Sequence, residues 1–337
     1  MRDGEPTRAD YSRRRAAALL AVVLVVVAGV SAALSARHGA TKPRSSAASP
    51  QTTTGAPGAT LPAADPPEEH AVDPSFFASG SCISFQPTAG NRHETVFLDA
   101  GHGGLDPGAV GTTSSGKTIY EANETLAVEL AAMALLRADG FTVVASRTTN
   151  STVLRLQPGD ESEGVLSLQG AHNEVAARDI CANDAKANLL VGIYFDWGSS
   201  PSAAGSVTTY DAARPFSASN LRFARLLQDF VLSKLNAQGW AIPNDGVLND
   251  VGMGSSNGDP YDGGLGEESL AYDHLMLLGP AMAGYFTSPS DMPGALIEPL
   301  YITDPFEGSI ADSSHGQTVM AEGIATAVEK YFGPPDH

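Results

Sequence analysis

The chain has 337 residues, of which 42% are hydrophobic, enough to build a sizeable core. Its net charge of −18 is unevenly spread: residues 1–44 carry eight basic and three acidic side chains, a net +5, and the remainder carries 12 basic against 35 acidic, a net −23. A body this acidic repels phosphate backbones, which excludes nucleic acid as a partner.

Arg13, Arg14 and Arg15 precede 21 uncharged residues, 16–36. At about 1.5 Å per residue that run is long enough to cross a bilayer core as a helix. The arginines place residues 1–15 on the cytoplasmic side. The end of the run, "SAALSA", also has small residues at the spacing of a leader-cleavage site, so a membrane anchor and a cleaved signal sequence both stand. Either reading exports the body, as a single-pass membrane protein with its C-terminal domain outside or as a secreted protein. Residues 37–77, rich in Pro, Ser, Thr and Ala, read as a disordered tether. Residues 78–334 read as a single folded domain.

Within that domain, "ETVFLDA" (94–100) predicts a strand. Residues 120–140 predict a helix, with Leu126, Leu130, Met133 and Leu136 at helical spacing and Gly140 closing it. A strand follows at 141–146, a helix at 168–187, a strand at 188–195, a further strand at 205–211 and a long helix at 217–239. Residues 241–268, dense in Gly, Asn and Asp, read as loop. Their acids lack the ligand spacing of a calcium-binding EF-hand, and a mobile loop near the substrate cleft is expected. A strand at 294–301 and a helix at 316–332 close the chain. Continuously apolar strands alternating with helices predict an α/β fold: a three-layer sandwich around a largely parallel twisted sheet. Cys82 and Cys181 form an even pair in an oxidising compartment, so a disulfide tying the start of the domain to the 168–187 helix is expected.

In such sheets, sites gather beyond the carboxyl ends of the strands. His102 follows the first strand in "VFLDAGHGGLDPGAVG"; on that stretch alone, a solvated His in a glycine turn and a metal ligand both fit. Tyr194 and Asp196 end the 188–195 strand, and Glu298 ends "GALIE". Glu121 opens the helix that leaves the glycine loop. One His and two carboxylates at one sheet edge suit zinc, with a nearby carboxylate to take a proton. An acid inside "ALIEPL" is costly to bury without a partner, which favours a functional Glu298.

"VFLDAGHGGLDPGAVG" resembles the opening motif of the zinc-dependent N-acetylmuramoyl-L-alanine amidases of type 3, cell-wall hydrolases with an α/β fold. The resemblance runs over residues 95–332, through "YEANETLAVELAAMALLRADGFTVVASRTTN", "ARDICANDAKANLLVGIYFD" and "GALIEPLYITDPFEG". It implies His102 and Glu121 as zinc ligands and Glu298 as general base. It further implies hydrolysis of the amide between the lactyl group of N-acetylmuramic acid and L-alanine, with peptidoglycan as partner and Zn2+ as cofactor. Arg147 and Arg178 match family positions; Arg147 is taken as a substrate contact, and a structural ion pair fits either arginine.

The family strand usually ends in Ile-His-x-Asn, whereas this chain has Tyr194 at the His position and Asp196 at the Asn position. Residues two apart on a strand share a face, so Asp196, about 6–7 Å further along, is the expected third ligand. The alternatives are a degenerate site without tight zinc, or rescue by Tyr194 or by a distant His172 or His274. Two functions follow: a membrane-tethered amidase that trims peptidoglycan, or a degenerate amidase fold that binds wall glycopeptide or regulates a partner hydrolase. A generic exported zinc hydrolase acting on another amide is a third.

Overall fold

The structure, a computed structural model, describes residues 69–251 and 272–334. The segment 1–15, the apolar run 16–36 and most of the tether lie outside the described residues. Among the described residues no helix is long and apolar enough to cross a membrane.

In chain order the strands are β1 (Glu69–Ala71), β2 (Ser81–Phe85), β3 (Thr95–Ala100), β4 (Val110–Thr112), β5 (Thr118–Tyr120), β6 (Thr142–Arg147), β7 (Glu161–Ser162), β8 (Val165–Leu166), β9 (Leu189–Ile193), β10 (Ser206–Tyr210), β11 (Asn244–Asn249) and β12 (Gly294–Glu298). The helices described here are α1 (Glu121–Ala138), α2 (Leu168–Asp184), α3 (Ser217–Ala237), α4 (Pro305–Ala311) and α5 (Ser314–Phe332). Eight strands make one sheet in the order β1-β2-β6-β3-β9-β12-β10-β11.

Helix starts follow local chemistry. Ser167 caps α2 by accepting the Gly170 N–H, Asp304 caps α4 with Pro305 next to it, and Ser313 caps α5 by accepting the Gly316 N–H. Glu121 and Glu124 lie in the first turn of α1, where the helix dipole favours negative charge.

Helices α1, α3 and α5 cover one sheet face over Val96, Leu98, Val191, Ile193 and Ile297. On the other face Phe97, Val144, Leu190 and Leu296 pack with α2 and with Leu277, Leu278 and Met292. Both faces are therefore covered, which is why the strands read as unbroken apolar runs. The buried stripe of α1 is Val128, Ala132 and Leu136, with Leu126, Leu130 and Met133 half-buried at its flanks. The expected stripe was thus rotated, because α5 packs beside α1 and shares its cover. Cys82 on β2 and Cys181 on α2 are joined in a disulfide with Cα atoms 5.8 Å apart, as expected.

Two expectations are corrected. The fold begins by residue 69, within the expected tether: β1 pairs antiparallel with β2, and Phe77 is buried in the core, bridging to Leu154. The polar composition around these short elements hid them. Residues 244–249, read as loop, form edge strand β11, paired parallel with β10. The rest of that loop, 252–271, lies outside the described residues.

Strand direction decides where sites can form. β6, β3, β9 and β12 run parallel, so their carboxyl ends share one edge. β10 runs antiparallel to β12, and β11 follows β10, so the carboxyl ends of β10 and β11 lie on the opposite edge.

Candidate active site

β3 delivers the chain to the edge at Ala100, and the glycine loop turns back over the strand ends. His102 itself has φ +62°, a left-handed conformation that costs a non-glycine residue about 1–2 kcal/mol. Two glycines make room for this turn. A Cβ at Gly101 would lie 2.4 Å from the Tyr194 ring, and one at Gly108, which has φ +65°, would lie 2.7 Å from the His102 ring and 2.8 Å from Glu121 Cβ.

The imidazole is held at both nitrogens. Nδ1 is 2.7 Å from Asp106 Oδ2, and Nε2 is 3.2 Å from Glu121 Oε1. Asp106 is fixed in turn by the Gly108 N–H at 2.9 Å. Glu121 is buried and clamped by two backbone donors, Phe195 N–H on Oε1 at 2.8 Å and Ala109 N–H on Oε2 at 2.9 Å. Burial opposes a charged imidazolium, yet the carboxylates of Asp106 and Glu121 outweigh it and raise His102 well above its ordinary value. Burial alone would raise Asp106, but His102 and the Gly108 N–H bring it below the usual carboxylate range.

Beneath the loop lies a buried ionic layer. Arg178 donates to Asp99 Oδ1 at 2.5 Å, to Glu174 Oε1 at 3.2 Å, and to the carbonyls of Ala100 and His102, each at 2.8 Å. Arg147 is fully buried and donates to the carbonyls of Ala100, Gly101 and Ala122. It presents no surface to a substrate, which corrects its expected role to that of a loop organiser. Arg178 has the structural ion pairs that were one of its readings.

Tyr194, at the family's usual His position, turns its hydroxyl to donate to Asp99 Oδ2 at 3.1 Å. Burial first, and then Asp99, push the phenol well above its ordinary value. The side chain thus points into the ionic layer. Its ring meets His102 edge-on, with centroids 5.4 Å apart. A small, partly open cleft lies beside it, bordered by His102, Asp106, Leu166, Ala171 and Val175.

Asp196 does not join His102 and Glu121. Its Oδ1 accepts the Trp197 N–H at 2.6 Å, and its side chain also hydrogen-bonds Tyr301. Among the described residues, the sole group of three His, Cys, Asp or Glu ligand atoms within 4.8 Å of one another is elsewhere. The expected His-Glu-Asp set is thereby corrected: beyond the strand end the chain turns to pair with Tyr301, which takes the carboxylate with it. Glu298 is half-buried at the end of β12, next to Tyr194, whose N–H donates to the Ile297 carbonyl at 3.0 Å. The sheet order β3-β9-β12 puts it two strands from His102, about 10 Å at the backbone. His172 is buried against Tyr285, with ring centroids 4.8 Å apart, and has a packing role.

A zinc ion binds such donors at about 2.0–2.2 Å, so neighbouring ligand atoms around it lie roughly 3.3 Å apart. The 3.2 Å between His102 Nε2 and Glu121 Oε1 fits two such positions. Asp106 on Nδ1 is the outer partner that leaves Nε2 facing a metal. Among the described residues no third His, Cys, Asp or Glu ligand atom stands with this pair. Sequence reasoning missed Asp106 and Asp99. Asp106 was signalled by an acid four residues after His102 in the same glycine loop, and Asp99 by an acid within an otherwise apolar strand.

Residues 96–330 match the family described as N-acetylmuramoyl-L-alanine amidase. No curated protein matches the chain. The fold is similar to that of the CwlD amidase from Clostridioides difficile, solved in complex with the GerS lipoprotein: 19% identity, 71% of this chain and 98% of that one covered, TM-score 0.51. Cwp6 from Clostridium difficile is similar at 20% identity, over 73% of this chain and 30% of that one, with a TM-score of 0.50. These two likenesses show the shared fold. The catalytic domain of CwlV, an N-acetylmuramoyl-L-alanine amidase from Bacillus (Paenibacillus) polymyxa var. colistinus, matches at 22% identity over 71% of this chain and 98% of that one, with a TM-score of 0.47.

Proposed function

Because the chain belongs to the N-acetylmuramoyl-L-alanine amidase family and is an amidase, we propose that it hydrolyses the bond between the lactyl group of N-acetylmuramic acid and L-alanine of the peptidoglycan stem peptide. The observation that carries this is the paired presentation of His102 Nε2 and Glu121 Oε1, with Asp106 steadying the far side of the ring. His102 and Glu121 would hold zinc, which when bound polarises the amide carbonyl and acidifies water. Glu298, at the same sheet edge, takes the proton of the attacking water and returns it to the leaving alanine amine. The N-terminal arginines and the apolar run 16–36 support an extracytoplasmic body, held at the membrane or released, facing an insoluble wall polymer.

The full chain incubated with purified peptidoglycan and zinc is expected to release stem peptides with a free L-alanine amine, detected by mass spectrometry. Glu298→Gln is expected to abolish release while His102 and Glu121 still bind zinc. The inward turn of Tyr194 favours a second reading, a degenerate amidase fold that binds wall glycopeptide or regulates a partner hydrolase. Retention on peptidoglycan with no peptide released at any zinc level would select that reading and overturn the first.

A further inference from the structure

The group of three ligand atoms lies on the far side of the sheet. Asp211 follows β10, and Asp250 follows β11; because these strands run opposite to β12, both acids sit at the edge away from His102. Asp250 N–H donates to the Tyr210 carbonyl at 3.0 Å, which locks the two strand ends side by side. His274 approaches from the segment that packs against α2. Its Nδ1 is 2.8 Å from Asp211 Oδ2 and 3.3 Å from Asp250 Oδ1.

Three features set this cluster apart from an ordinary surface ion pair. Both carboxylates are fully buried, at 0% exposure. Among the described residues neither has a lysine or arginine within ion-pair distance, and the nearby Arg214 donates instead to the carbonyls of Gly279 and Ser290. Asp211 is also half satisfied: Oδ1 accepts the N–H groups of Ala213 and Arg214, while buried Oδ2 receives no aligned hydrogen bond and faces His274 Nδ1. Two adjacent buried carboxylates repel each other, and one imidazole does not neutralise both. One nitrogen and two oxygens within 4.8 Å of one another are a donor set for a divalent ion of the zinc type, with waters completing its coordination.

We propose that Asp211, Asp250 and His274 form a structural binding site for a zinc-type divalent cation, separate from the catalytic edge, that ties the ends of β10 and β11 to the segment covering α2. It takes no part in the hydrolysis. It holds the reversed strands beside β12 and so supports the strand that carries Glu298.

The test uses the full chain, stripped with chelator, reloaded with Zn2+ and desalted. Elemental analysis is expected to show one zinc fewer per chain in His274→Gln and in Asp250→Asn than in wild type, while His102→Ala keeps that zinc. Added Zn2+ is expected to raise the melting temperature of His102→Ala, and to leave that of the His102→Ala/His274→Gln double variant unmoved. Zinc anomalous scattering from crystals of the unmodified chain is expected to peak between the three side chains, a readout that needs no variant to fold. Equal zinc in wild type and His274→Gln, or no anomalous peak at this edge, would overturn the proposal whatever the His102 site binds.

Discussion

Asp106→Ala tests the reading of the catalytic edge most directly. The variant removes a 2.7 Å hydrogen bond to His102 Nδ1 between side chains only 16% and 9% exposed, so water does little to replace it. A hydrogen bond to a charged group contributes about 1.5–3 kcal/mol, or one to two decades in an equilibrium constant. Loss of such an outer partner of a ligating His typically costs about 10–100-fold in metal affinity or activity. The ring also sits on a residue with φ +62°, a conformation that the Asp106 contact helps to hold. We therefore expect zinc affinity at His102 and Glu121, measured by competition with a chromophoric chelator in a His274→Gln background, to fall by about 10–100-fold. Peptide release at limiting zinc should fall in parallel and recover at saturating zinc. Unchanged affinity and release in a folded Asp106→Ala protein would refute the view that Asp106 orients the histidine.

Other measurements probe the surroundings of the site. Gly101→Ala puts a Cβ 2.4 Å from the Tyr194 ring, an overpacking that costs about 1–3 kcal/mol; in a Tyr194→Ala background the urea-unfolding cost should largely vanish, and a cost that persists would contradict the packing. The Cys82–Cys181 bridge spans 99 residues, and closing a loop of about 100 residues stabilises by roughly 4.7 kcal/mol. The double Cys→Ser variant should accordingly melt about 10–20 °C lower, and a fall of only a degree or two would show that the linkage constrains little. Burial, and then Asp312, push Glu124 up to about 7. The folded state therefore holds a proton that the unfolded chain has already lost, and stability should decline as pH rises from about 4.5 through 7. Glu124→Gln should flatten that decline in denaturant titrations across this window, and an unaltered slope would count against it.

Much of this protein is legible along the chain. Whether a residue is buried recurs with the local period of helix or strand, so most sheet strands and the four longer helices were found to within a few residues. The glycine loop, His102, Glu121 and Glu298 were visible as residues at strand ends, and the cysteine pair was expected. Some pieces escaped: β1 and α4 are short, and β2 and β11 are too mixed or polar in composition to show a period. Two matters depended on contacts distant in sequence. Periodicity names the face of a strand but not where a side chain's end goes, so only the packed structure shows Tyr194 reaching Asp99 across β3 and Asp196 held by Trp197 and Tyr301. Nor does a strand's own sequence state its direction in the sheet. The reversal of β10 and β11 is set by pairing with β12 and β10 respectively, and that reversal gathers Asp211, Asp250 and His274 on an edge of their own, away from the histidine that the glycines frame.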